Sequence, residues 1–76
     1  MRLFWERIFD MKISINGKSS DYMGPPVLGE LLRSLEIDPK EVAVERNLRI
    51  VPRGLMEGEP VESEDQFEII RLVGGG

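Results

Sequence analysis

The chain has 76 residues, 41% of them hydrophobic and 32% charged, with a formal net charge of −4, which sets the scale at one small domain with enough apolar residues to fold. It contains no cysteine and no histidine, which excludes a disulfide framework, thiolate chemistry, a zinc site of thiolates or imidazoles, and catalysis by an imidazole base. The acidic balance argues against nucleic acid or an anionic membrane surface as the partner, and no apolar run approaches the roughly 20 residues that span a bilayer; the expectation is a cytoplasmic domain, monomeric when free, with few catalytic groups of its own.

Residues 1–10, MRLFWERIFD, stand apart from the rest. They hold the only tryptophan and two of the three phenylalanines, and Phe4, Trp5, Ile8 and Phe9 share one face at helical spacing. The segment lacks the apolar core and small-residue cleavage site of a secretory leader. Two readings are open: Met11 is the natural start and the segment is upstream sequence read in frame, or the segment is an arm that packs its aromatics on the domain or on a partner.

From Met11 the pattern alternates, with Met11, Ile13 and Ile15 on one face, which predicts a half-buried strand. Asn16-Gly17 predicts a tight hairpin turn, since both residues tolerate positive φ, and residues 18–23 return as a weakly apolar edge strand. Gly24-Pro25-Pro26 is expected to end that strand and open a helix, with proline in its first turn. Val27, Leu28, Leu31, Leu32 and Leu35 form its apolar stripe, and it stops near Glu36, ahead of Asp38-Pro39. Gly29 inside this helix costs about 1 kcal/mol against alanine; either it permits a close helix–sheet approach or it is simply tolerated. Val42 to Glu45 reads as a third strand with Val42 and Val44 inward, Asn47-Leu48 as a turn, and Arg49-Ile50-Val51 as a short strand ended by Pro52. Residues 53–65 read as a loop anchored by Leu55, Met56 and Val61. Gln66 to Val73 reads as the last strand, with Phe67 and Ile69 inward and Glu68, Ile70 and Leu72 outward.

This order gives an α+β roll: a mixed four- to five-stranded sheet with one main helix on one face, the β-grasp arrangement that ubiquitin also uses. The first and last strands lie side by side at its centre. The expected organisation is an extension over 1–10, a β-grasp domain over 11–73 and a flexible tail over 74–76.

Charge is unevenly spread. Six acidic residues (Glu57, Glu59, Glu62, Glu64, Asp65, Glu68) run without a basic one, just after Arg46, Arg49 and Arg53. They form either a solvated acidic loop beside a basic hairpin or a two-signed docking surface. Nothing in the run has the pattern of a cation-binding loop.

The chain ends Gly74-Gly75-Gly76. At a glycine frequency of about 7%, such an ending arises by chance in roughly three chains in ten thousand, which weighs against a merely frayed tail. A side-chain-free end can thread a narrow channel and present its carboxylate to another enzyme. That carboxylate is inert until activated, for example as an acyl-adenylate.

The segments Ala43-Val44-Glu45-Arg46-Asn47, Ile50-Val51-Pro52-Arg53 and Asp65 to Gly76, with Ile13 to Lys18 and Val27 to Leu32, closely resemble the ThiS family, the sulfur carrier proteins of thiamin biosynthesis. The resemblance runs from Met11 to Gly76. It implies that the chain is a protein cosubstrate and no enzyme, with no catalytic residue and no bound cofactor. It further implies that Gly76 is adenylated by a ThiF-like adenylyltransferase with ATP and magnesium, takes sulfur from a donor such as a cysteine desulfurase, and passes it as a thiocarboxylate to thiazole synthase (ThiG). Gly74 and Gly75 supply reach. Two positions depart from the family pattern: Glu64 stands where glycine is usual, so a turn needing positive φ is strained there or differs, and Gly29 replaces a better helix former.

Ile70 and Leu72, on the face away from the helix, form an apolar docking patch beside the tail, unless the 1–10 segment or the 53–65 loop covers them. Arg46, Arg49, Arg53 and Arg71 are expected to add charge complementarity. The rival readings are another sulfur carrier of this fold, such as the small subunit of molybdopterin synthase, and a β-grasp adaptor whose tail is never modified.

Overall fold

The structure, a computed structural model, describes residues 10–72. The expectations for the 1–10 segment, all but its last residue, and for the tail over 74–76 lie outside the described residues.

Alternation from Met11 produces β1 (Asp10–Ile15), with Met11 and Ile13 buried and Ile15 half-buried. Asn16 and Gly17 take φ values of 51° and 84°, the left-handed pair that a two-residue hairpin requires. They return the chain as β2 (Lys18–Met23), antiparallel to β1. Tyr22 is the one buried residue of β2, and its hydroxyl donates to the Pro25 carbonyl at 2.6 Å.

The prolines lie ahead of the helix and not in its first turn. Val27 is extended and bridged to Pro60, and the Val61 N–H donates to the Pro26 carbonyl. This pairing delays the helix, α1, to Leu28–Ser34. A helix start leaves N–H groups without intrahelical partners. Here Leu28 N–H donates to the Glu59 carbonyl at 2.7 Å and Gly29 N–H to that of Glu57 at 3.1 Å, so the 53–65 loop takes the place of a side-chain cap. The close approach at Gly29 is therefore to this loop and not to the sheet: a Cβ there would sit 2.8 Å from the Glu57 carbonyl oxygen. At the other end Glu36 turns left-handed, with φ 60°. Its N–H donates to the Arg33 carbonyl and that of Ile37 to the Leu32 carbonyl, the reciprocal closure usually built on glycine. Leu28, Leu31 and Leu32 are buried, whereas Leu35, at the cap, is exposed.

A 3-10 turn at Pro39–Glu41, begun by Asp38 accepting from Lys40 N–H, leads into β3 (Val42–Arg46). Asn47 and Leu48, both at positive φ, turn it into the short β4 (Arg49–Ile50). In the loop that follows, a 3-10 turn at Arg53–Leu55 precedes Met56. Successive residues of such a turn point about 120° apart, so Leu55 is exposed while Met56 and Val61 anchor the loop. The chain ends its described part in β5 (Gln66–Arg71).

The sheet order is β2-β1-β5-β3-β4, with β1 and β5 parallel and the other pairs antiparallel. One face is filled by Met11, Ile13, Val42, Val44 and Phe67 against Leu28, Leu31 and Leu32 of α1. This is the β-grasp, with β5 at the centre of the sheet.

Candidate functional site

The expected functional atoms belong to Gly76, outside the described residues; the last described strand, β5, leads into that segment of the sequence. β5 is held on one side as far as Ile69 and on the other to its end. On one side β1 stops at Ile15, and the Asn16 side chain continues its ladder: its Oδ1 accepts from Ile69 N–H at 2.7 Å and its Nδ2 donates to the Ile69 carbonyl at 3.3 Å. On the other side β3 pairs through Val42 and Arg71, and Leu72 N–H donates to the Glu41 carbonyl at 2.8 Å. Leu72 is therefore fixed four residues before Gly76.

The face of β5 away from α1 carries Glu68 and Ile70, and Leu72 continues it. Ile70 and Leu72 are 51% and 45% exposed, so the 53–65 loop does not cover them. Register adds neighbours that sequence reasoning did not assign. Ala43 is opposite Ile70, Glu45 opposite Glu68, and Ile50 opposite Glu45. Directly paired residues share a face, so Ile50, 75% exposed, extends the apolar patch to the sheet edge.

The four arginines expected beside this patch do not gather there. Arg46 pairs with Phe67, a core residue, and so lies on the covered face. It is 17% exposed and bonds Asp65 through Nε at 2.8 Å, Glu59 through Nη1 at 3.2 Å and Glu62 through Nη2 at 3.3 Å. Arg53 donates to the Pro39 and Val42 carbonyls, and Arg71 pairs with Glu41 at 3.0 Å. Arg49 pairs with Arg46 in register, which puts it on the side opposite the patch.

The acidic run is correspondingly not a solvated loop throughout. Asp65 is buried; its Oδ1 accepts from the Asn47 amide at 2.9 Å and its Oδ2 from Glu62 N–H at 2.8 Å as well as from Arg46. Burial pushes its carboxyl up, but the Asn47 amide, the Glu62 N–H and the Arg46 guanidinium more than offset that, and the group sits below the ordinary carboxylate range. The turn leading into Asp65 has Glu64 at φ 73°, so the position does require the left-handed backbone that glycine accepts without penalty.

Among the described residues there is no group of three or more acidic, histidine or cysteine side chains arranged to hold a metal ion, and no helix is long and apolar enough to cross a membrane. The described geometry is that of a strand end, held at Leu72, beside an exposed apolar face formed by Ile50, Ile70 and Leu72.

Comparison with known proteins gives this arrangement its context. The ThiS family model matches residues 13–76. Two proteins named thiazole synthase, from Paramagnetospirillum magneticum and Magnetococcus marinus, are 39% and 38% identical over 66 residues, covering 87% of this chain. The chain spans 20% of the length of each. The uncharacterised protein ycf40 of Porphyra purpurea is 33% identical over 67 residues, 88% of this chain and 94% of that protein. The crystal structure of the thiamine biosynthesis protein ThiS of Geobacter metallireducens superposes with a TM-score of 0.74 at 30% identity, over 87% of this chain and all of that one.

Proposed function

The chain belongs to the ThiS family, and from that premise we propose that it is a sulfur carrier of thiamin biosynthesis whose working group is the Gly76 carboxylate. The observation that carries this reading is the run of family similarity to residue 76, through the glycines, behind a strand whose end is held at Leu72. The domain supplies position and the partners supply chemistry.

A carboxylate is a poor acyl donor because its leaving group would be oxide. A ThiF-like enzyme with ATP and magnesium makes it a mixed anhydride with AMP and releases pyrophosphate. Sulfur from a persulfide, itself supplied by a cysteine desulfurase, attacks the Gly76 carbonyl carbon and displaces AMP. A thiol then cleaves the sulfur–sulfur bond, leaving the thiocarboxylate on Gly76 and a disulfide on the donor side. Thiazole synthase, the name borne by two of the relatives, consumes that sulfur. Gly74 and Gly75 offer the entering channel no side chain.

Ile70 and Leu72 form the docking patch for these enzymes. Replacing Ile70 with arginine is expected to slow Gly76 modification while leaving the melting temperature nearly unchanged, because substitutions at such exposed positions usually alter stability by no more than about 0.5 kcal/mol. Purified chain incubated with ATP, the activating enzyme and a sulfur donor tests the reading by mass. An unmodified tail that nonetheless supports thiazole formation would favour an adaptor. Sulfur passed to a molybdopterin synthase large subunit in place of thiazole synthase would assign another pathway.

A further inference from the structure

β1 ends before β5 does. Its last rungs set Ser14 against Gln66 and Ile15 against Phe67, and Asn16 N–H donates to the Phe67 carbonyl at 2.8 Å. Backbone groups alternate sides along a strand, so the next ones of β5 facing β1 belong to Ile69, where β1 has already turned away through Asn16 and Gly17. The Asn16 carboxamide supplies the missing rung, accepting from Ile69 N–H at 2.7 Å and donating to the Ile69 carbonyl at 3.3 Å. Like a peptide group, it offers a donor and an acceptor in one plane. The turn does not demand this side chain, since glycine meets a φ of 51° equally well. The second hairpin uses a related device at the other end of β5. Asn47, at φ 52°, accepts from Gln66 N–H through Oδ1 at 2.9 Å but directs its Nδ2 to Asp65. Asn47 thus serves the start of the strand and the buried acid, and Asn16 the part that leads on toward the glycines.

Resting on the carrier reading, we infer that Asn16 is a positioning residue for the activation of Gly76: its carboxamide stands in for a further residue of β1 and holds β5 at Ile69. Without it, β5 beyond Phe67 is held from the β3 side alone, by the pairing of Arg71 with Val42 and by Leu72 N–H on the Glu41 carbonyl. A strand end held on one side opens more often. The activating enzyme then meets the presenting conformation in a smaller fraction of molecules. That raises the apparent dissociation constant in proportion and leaves turnover at saturation unchanged.

The test compares the full wild-type chain with Asn16→Gly, which keeps the left-handed turn and removes only the carboxamide, and with Asn47→Gly as the structural control. Amide hydrogen exchange is followed residue by residue, each variant is melted, and KM and kcat of the activating enzyme for the chain are read from pyrophosphate release with ATP. In Asn16→Gly, exchange at Ile69 N–H should quicken about tenfold, the effect of losing two hydrogen bonds, and Leu72 N–H should follow. Val51 N–H, bonded to the Val44 carbonyl, should exchange as in wild type. KM should rise about three- to tenfold with kcat unchanged. Asn47→Gly should melt lower than wild type, through Asp65, with KM unchanged. Unaltered exchange at Ile69 in Asn16→Gly would overturn the inference, because the carboxamide would then hold nothing. Faster exchange with unchanged KM would overturn it too, leaving Asn16 a purely structural role, as would an equal rise in KM in Asn47→Gly. Wild-type chain that yields no pyrophosphate with an activating enzyme that accepts another carrier would overturn the carrier reading itself, a result distinct from these because exchange at Ile69 is read without any enzyme.

Discussion

Arg46 and Asp65, 19 positions apart, are joined at 2.8 Å beneath the β3–β4 turn, and the bond ties the acidic loop to the sheet. Breaking a mostly buried pair by removing one partner leaves the other uncompensated. Arg46→Met is therefore expected to cost about 2 to 3 kcal/mol, the low side of the buried range because the guanidinium keeps some contact with water. A chemical denaturation series measures it.

The same pair predicts acid behaviour. The Asp65 carboxyl lies below its usual value in the folded chain, so its stabilising contribution is fully present above the unfolded value of about 3.9 and is lost as pH falls through the lower folded value. Stability followed from pH 5 downward should decline below about pH 4. Arg46→Met should flatten that decline, since it removes one of the groups that hold the proton off.

Gly29 tests the helix–loop contact. Alanine favours a helix by about 1 kcal/mol over glycine, yet its Cβ would meet the Glu57 backbone carbonyl at 2.8 Å, and a backbone atom cannot swing aside. Gly29→Ala is expected to lower stability by about 1 to 2 kcal/mol net. A higher melting temperature would show that the loop yields.

Glu64 is the converse case. A non-glycine residue in the left-handed region is penalised by about 1 to 2 kcal/mol, and glycine regains part of this against its larger unfolded entropy. Glu64→Gly is expected to raise stability by about 0.5 to 1 kcal/mol, with Gly76 modification unchanged. Equal or lower stability would mean that the glutamate side chain compensates for its backbone.

These cases mark what the sequence made legible. The Asn16-Gly17 hairpin, the alternation of β1, the Val42/Val44 pair and the inward Phe67 are local signals, and each element appears where its periodicity puts it. The helix stripe was legible in its middle and not at its ends. Val27 is held extended by Pro60, and Leu35 is turned out by the left-handed closure at Glu36. Arg46 read as a surface charge because its partners lie in a loop 13 to 19 positions on. The register that sets Glu45 against Glu68 is likewise non-local. Alternation puts each outward, but only the pairing of β3 with β5 makes them neighbours. Gly29 could be recognised as odd in a helix, while the atom that requires it belongs to Glu57, 28 positions later.

The most direct test of the central claim is the intact mass of the chain, with fragmentation of its C-terminal peptide, after incubation with the activating enzyme, ATP and a sulfur donor. The account predicts one oxygen exchanged for sulfur, located on Gly76, and no exchange when Gly76 is deleted. A chain that keeps its ordinary mass while the same enzymes load another carrier in parallel would contradict it.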